Sequence, residues 1–393
     1  MAKRSKINDI QAEIGKTTSL VYNGLNVNLD YNNKLTGTSR VREYNKMRLG
    51  DSTVRACIQA MKLPIIRANW DFIAASEDSL DQEVKAFIAQ NLFYDMVNTW
   101  TEWLTEALNY LAIGNAIYEK VYRFDEDGKI KLDKLAFRPS DSVWAWQMEN
   151  GQPGITQITT SGRFSIPMDK MLVLVNEKEG ENWEGISVLR SAYRNYYVKD
   201  ALLKIDAIAA ERQGLGIPEA IVPVGTLAKK KNEIEEVLQN LRTNEKAYSI
   251  RETNIQIGFM DMKGHTVRDV MPSVMYHDRS MAKSILADFL ELGANSKGSY
   301  ALSKDKTDFF TLSLEAIAEY VADAVNEHVV KPLVDYNFNG VKEYPKLTFS
   351  DIKPVDITAL STALSTMATA KVITPGEDVE DWVRGQLKMP EKT

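Results

Sequence analysis

From Asp51 onward, hydrophobic and polar residues recur with two distinct periods, and the switches between them mark the elements. "ANWDFIAA" alternates with period two and predicts a strand, whereas "SLDQEVKAFIAQNLF" repeats at helical spacing after Ser79. "NTWTEWLTEALNYLAIGNAIYEKVY" sets Trp100, Trp103, Leu104, Leu108 and Leu111 on one helical face, which stops at Gly114 before a strand. The tryptophan pair reads as core rather than as a ligand platform. Between Ile117 and Val175 lie five short β segments: "AIYEKVYRF", "KIKLDKLAFRP", "SVWAWQM", "GITQI" and "KMLVLVN". The turns "DEDGK" and "ENGQPG" separate some of them, which predicts an antiparallel region packed on the preceding helices.

The pattern then lengthens. "GISVLRSAYRNYYVKDALLKIDAIAAERQG" carries Ile186, Leu189, Tyr193, Tyr196, Leu202, Ile205 and Ile208 at helical spacing. As one helix it would span roughly 40 Å. It stops at "GLGIP", and an αβ island follows: strand "EAIVPVG", helix "TLAKKKNEIEEVLQNLRT", then strand-like "KAYSI" and "NIQIGFMDM". A second long helix, "SVMYHDRSMAKSILADFLELGA", leads into "LELGANSKGSYALSKDK", and a third, "DFFTLSLEAIAEYVADAVNEHVVKPLVDYNF", leaves it. That connecting stretch holds glycines, serines and three lysines but little that could enter a core. Strand "YPKLTFSDI" and two short helices close the chain, the last opened by Thr374 and Pro375. Residues 1–50 are polar and basic, and read as a tail or as an arm that orders on a neighbour.

Composition excludes more than it assigns. The chain has 393 residues, enough for a large core, and 48 basic against 54 acidic side chains, a formal net charge of −6. An acidic balance argues against a tight clamp on nucleic acid. The single cysteine, Cys57, rules out a disulfide framework and a cysteine metal site. No long uncharged apolar run occurs, which predicts a soluble chain with no membrane partner.

Catalytic patterns are missing as well. "GANSKGS" has the composition of a phosphate loop but lacks its Gly-Lys-Ser/Thr ending and follows a helix rather than a strand. His265, His277 and His328 show no zinc spacing, and His277 beside Asp278 cannot form a relay, since adjacent helical residues face different ways. No nucleophile elbow or dinucleotide fingerprint is present, and "EIEE" and "EDVED" read as solvated helix faces. The expectation is a protein that is not an enzyme and has no cofactor or metal.

The order of parts is the remaining signal. "NWDFIA", "ALNYLAIGNAIYEKVY", "FRPSDSVWAW", "KMLVLVN", "EGISVLRSAYRNYYVKDALLKIDAIAAERQGLGIP" and the helix from Ser273 into "ELGANSKGS" follow one another in an order that resembles a portal protein of tailed bacteriophages, nearest the Mu-like branch. The resemblance implies an α+β portal fold: an N-terminal arm (1–50), a wing (51–185 with 307–350), stem helices (186–214 and 272–292), a small αβ clip (215–271), a tunnel loop (293–306) and a short helical crown (351–393). It implies a dodecameric ring at one capsid vertex, a conduit for double-stranded DNA during packaging and ejection. DNA would be contacted in the tunnel loop by Lys297, Ser299, Lys304 and Lys306, without reading of sequence. The large terminase subunit, and later a head-tail connector or adaptor, would dock on the clip at Lys229, Lys230, Lys231, Glu233, Glu235 and Glu236. The major capsid protein would surround the ring, with the chain in the host cytoplasm during assembly and in the virion afterwards. Another capsid or head-tail adaptor protein meets the same absences, and a DNA-processing nuclease would need a carboxylate cluster at strand ends.

Overall fold

The computed structural model describes residues 30–215, 217–242, 256–260, 269–285 and 300–350, with residues 21–22 and 25–26 and a few isolated C-terminal positions. The chain forms two compact units, one of residues 1–191 with 282–393 and one of residues 192–281. The predicted strand "KAYSI", the tail helices and most of the crown lie outside the described residues.

The first unit begins earlier than the hydrophobic pattern indicates. Gly37–Gly50 is a helix with Arg40, Val41, Tyr44 and Met47 buried, where the sequence reads as a polar arm up to residue 50. The reason is that a cation completes its inner face. The Arg40 guanidinium caps the end of a short helix by donating to the Ile113 carbonyl, and its Nε lies 3.3 Å from Glu184 Oε2. Burial lowers the affinity of Arg40 for its proton, and Glu184 works against that shift. Asp51 then caps the helix Ser52–Arg67, its Oδ1 accepting from the Val54 N–H at 3.0 Å.

The helix predicted around the tryptophans is present as two, Trp100–Ala107 and Tyr110–Ile113. Thr99 and Glu102 form a capping box at its start, with bonds of 3.2 and 2.9 Å. Trp100, Trp103, Leu104, Leu108 and Leu111 are all buried, as their spacing predicts. Trp103 stacks between Trp100, 4.8 Å away, and Tyr118, 5.9 Å away, so an aromatic seam joins this helix to the first strand behind it.

The β region is antiparallel throughout. Asn115–Phe124 is the centre of a three-stranded sheet, flanked by Ile130–Arg138 and Met171–Val175. A second sheet orders Val143–Ala145, Gly154–Thr159 and Gly162–Pro167. The last of these strands carries no apolar run, since only Ile166 is buried, and the sequence pattern passes over it. Asn69–Ile73 pairs with Lys346–Ser350, tying the early and late parts of the unit together.

The open edge of Ile130–Arg138 is closed by side chains rather than by another strand. Asn337 exchanges two bonds of 2.7 Å with the backbone of Ile130, and Asn91 does the same with Leu132 at 2.9 and 3.1 Å. The Val97 N–H takes the Asp133 carbonyl and Asn98 takes that of Leu135. Asn91 opens a single π-helical turn, Asn91–Asp95, which ends the helix Ser79–Gln90. A second such turn, Asn326–Val330, aims Asn326 at both backbone groups of Leu347.

The segment that leaves this unit is held by a close backbone approach. Gly114 has φ +103° and Gly185 φ +64°, and a Cβ on Gly185 would stand 2.3 Å from the Gly114 carbonyl oxygen. The N–H groups of Ile186 and Val188 donate to Asn176 and Leu111 carbonyls at 2.9 and 3.0 Å. Residues 186–192 are therefore pinned in turns, and the long helix starts at Tyr193 rather than at Ile186.

Candidate channel and docking elements

The second unit holds the out-and-back helices and the αβ island. Tyr193–Leu215 rises for about 35 Å, and Met271–Ser284 brings the chain back. Side-chain contacts join them: Lys199 Nζ lies 2.6 Å from Asp278 Oδ1, and His277 Nδ1 lies 3.0 Å from Asn195 Oδ1. His277 and Asp278 each take their own partner on the facing helix, so they form no relay. Lys199 is buried, but Leu203, Ile205 and Ile208 on the same helix stay exposed, with Ile205 at 57% and Ile208 at 49%. Ile205 and Ile208 belong to the stripe that the helical spacing sets out, Leu203 does not, and among the described residues none of the three is covered.

The island is a two-stranded antiparallel sheet, Ile217–Ile221 against Gln256–Met260, with the helix Ala228–Arg242 between them. Before that helix the Thr226 hydroxyl donates at 2.7 Å to the Pro223 carbonyl, turning the chain. Lys229, Lys230, Lys231, Glu233, Glu235 and Glu236 are all exposed, while Ile234 and Leu238 on the opposite side are half-buried. The charged residues singled out from sequence thus share the outer part of one amphipathic helix. Ile221, Val224 and Leu227 beside them are also exposed.

The loop expectation needs a correction. Tyr300–Val325 is one helix, so Lys304 and Lys306 belong to a helix rather than to a loop running to residue 306. "YALSKDK" contains no glycine or proline and is rich in helix-favouring residues, which lets the helix start early. Lys297 and Ser299 lie outside the described residues.

His328 sits in the second π turn, and its carbonyl accepts from the buried Lys120 ammonium at 2.6 Å. Burial, and then Lys120, push its imidazole below the usual range, which favours the neutral packing form. Among the described residues no group of three or more His, Cys, Asp and Glu is placed to hold a metal, and no helix is long and apolar enough to cross a membrane.

The sequence matches a family model described as the portal protein of Mu bacteriophage over residues 41–389. The chain belongs to that portal protein family. The match takes in the Gly37–Gly50 helix almost from its start, in agreement with its burial in the first unit. Proteins of this family are structural phage proteins rather than enzymes, and passage of DNA during packaging is the general role of portals.

Solved structures share the α+β fold. The chain is similar to one in the neck of an empty gene transfer agent particle, computed with C6 symmetry, at 14% identity and a TM-score of 0.56. The alignment covers 89% of this chain and 94% of that one. A neck of the native particle, computed with C12 symmetry, aligns over the same shares at 13% identity and a TM-score of 0.53. The virion of the native particle gives 14% and 0.52.

Proposed function

We propose that this portal protein assembles into a closed ring of twelve copies at one vertex of a phage head and forms the conduit through which double-stranded DNA is packaged and later ejected. The observation that carries this is the uncovered apolar side of Tyr193–Leu215, with Leu203, Ile205 and Ile208 exposed, in a chain matched to the portal family over residues 41–389. Side-by-side packing around an axis would bury those residues, and a heterologous contact that closes makes a ring. The similar neck computed with C12 symmetry supports the number twelve.

In this reading residues 51–185 with 307–350 are the wing, 186–214 and 272–292, which hold most of Tyr193–Leu215 and Met271–Ser284, are the stem, and 215–271 are the clip. The large terminase subunit docks on the clip at Lys229, Lys230, Lys231, Glu233, Glu235 and Glu236, and a head-tail connector or adaptor takes that face later. A lysine block followed by a glutamate block on an exposed helix favours such an exchangeable, salt-sensitive contact. Lys297, Ser299, Lys304 and Lys306 meet the DNA backbone in transit. The major capsid protein surrounds the wing, and assembly takes place in the host cytoplasm before the ring becomes part of the virion.

Heads assembled with and without this chain test the reading. Heads lacking it should stay empty, and adding it back should restore DNA-filled heads. DNA-filled heads of normal yield in its absence would contradict the function.

A further inference from the structure

Three helices of the first unit enclose a cavity of about 500 Å³ that the conduit role leaves unused. Arg48 reaches it from Gly37–Gly50, Arg55 and Lys62 from Ser52–Arg67, and Asn109 from just past Trp100–Ala107. Lys62 is only 6% exposed. Its ammonium donates at 3.0 Å to Asn109 Oδ1, and Arg48 Nη1 donates at 3.1 Å to the same oxygen. The other bond of Arg48, from Nε at 2.7 Å, goes to Asn45 Oδ1. Both cations therefore rest on neutral amide oxygens, and among the described residues neither meets a carboxylate.

Two carboxylates, Glu102 and Glu106, also line the cavity, but neither bonds Lys62 or Arg48, and Glu102 accepts from the Thr99 N–H in the capping box. Burial pushes the Lys62 ammonium down to about 8, with Arg48 adding to the shift, and among the described residues nothing pulls it back. A buried ammonium and a half-buried guanidinium share one amide oxygen and have no carboxylate against them among the described residues.

We infer that this cleft is one half of an inter-subunit ion pair, completed by a single Asp or Glu side chain of a second copy of this chain inserting between Arg48 and Lys62. The inference rests on the ring reading above. An extended polyanion such as DNA fits poorly, because Glu102 and Glu106 would face it along the same wall. A lone carboxylate avoids them, and its aliphatic stem finds Leu49 and Ile58 at the cavity. The guanidinium fork can take both oxygens while Lys62 supplies a point charge. A chain of net charge −6 has carboxylates to offer on a neighbouring copy.

The test couples assembly to chemical linkage. Purified full-length chain is allowed to form rings, treated with a carbodiimide that joins carboxylate to amine without a spacer, and digested for mass spectrometry. Lys62 should appear linked to an Asp or Glu of another copy in rings and not in dissociated chains. Lys62→Met and Arg48→Met, each shown to unfold cooperatively and no less stably than the wild type, should raise the concentration at half assembly by at least about tenfold, as loss of one partner of a buried pair does. Rings that form with wild-type affinity in both variants, and no inter-copy link at Lys62, overturn the ion pair and leave the ring intact. A link suppressed by added duplex DNA, with wild-type assembly, overturns it in favour of a phosphate. Absence of rings under all conditions overturns the ring reading and this inference together.

Discussion

The Asn337 side-chain amide replaces a β-strand at Ile130, donating to its carbonyl and accepting from its N–H, both at 2.7 Å. Asn91 repeats the arrangement two residues along, at Leu132. Together they close an edge that would otherwise offer unpaired backbone to another chain.

Asn337→Leu and Asn91→Leu should each cost about 1–3 kcal/mol. Asn91→Leu should cost the more, because it leaves a buried backbone donor and acceptor unmatched at Leu132, where those at Ile130 are only part-buried. Urea unfolding of the first unit, followed by tryptophan fluorescence, measures this. The double variant should also aggregate more readily than either single one. Loss below about 0.5 kcal/mol in both would show that water replaces the amide without penalty.

Gly114→Ala and Gly185→Ala should destabilise by more than about 2 kcal/mol each, since both glycines have positive φ and their Cβ atoms would stand 2.5 and 2.3 Å from carbonyl oxygens. Gly128 also has a positive φ, +76°, but open space around it. Gly128→Ala should cost only about 1–2 kcal/mol, the backbone strain alone. Melting temperatures of the three variants separate crowding from strain.

The order of elements was legible in the sequence because most of them carry an apolar stripe. Trp100, Trp103, Leu104, Leu108 and Leu111 show the 3.6 period and are buried, and the "MLVLV" strand is buried at every position. What escaped was structure built on polar contacts. Gly37–Gly50 is anchored by Arg40, residues 186–192 by backbone bonds to Asn176 and Leu111, and the strand Gly162–Pro167 by pairing alone. Ile186 and Leu189 imitate a helical period that the backbone bonds override, and Ile166 alone sets no period in the strand. Among the candidate residues, the six charged positions of Ala228–Arg242 could be placed on an exposed helix because its amphipathic pattern fixes its outer face. Lys62 could not: it occupies a buried position in a helix whose other inner residues, Val54, Ile58, Met61 and Ile65, are apolar, and a lysine there looks like a boundary residue. Lys304 and Lys306 were misplaced because serine and lysine after a glycine-rich stretch read as loop, although helix propensity continues from Tyr300.

Stability of the unassembled chain should rise with pH across the window set by Lys62. Its folded value of about 8 lies below the ordinary 10.5, so between them the unfolded chain binds more protons than the folded one. Below that window the charge is buried at full cost, and above it the cost is gone. Comparing wild type with Lys62→Met from pH 7 to 10.5 should show wild type gaining relative to the variant, by at most about 1.4 kcal/mol per pH unit and less where solvent reaches the cleft. Assembly should abolish the gain if a carboxylate from a second copy holds the proton in place.

Changing Lys297, Lys304 and Lys306 together to Ala should leave assembly intact and change DNA retention in filled heads. If each lysine neutralises one phosphate, the slope of log affinity against log salt for duplex DNA should fall by about 0.9 per lysine, with no change in sequence preference. Since Lys304 and Lys306 lie on a helix, Lys297→Ala alone should alter retention differently from the pair. Unchanged retention and an unchanged slope in the triple variant would remove these residues from the DNA path.

Electron microscopy of the purified full-length chain tests the central claim most directly. The account predicts closed rings with a central opening and twelve copies, and dissociation of those rings when Ile205 and Ile208 are both changed to Asp. Chains that stay monomeric at every concentration, or that join into open filaments with no closed ring, would contradict it.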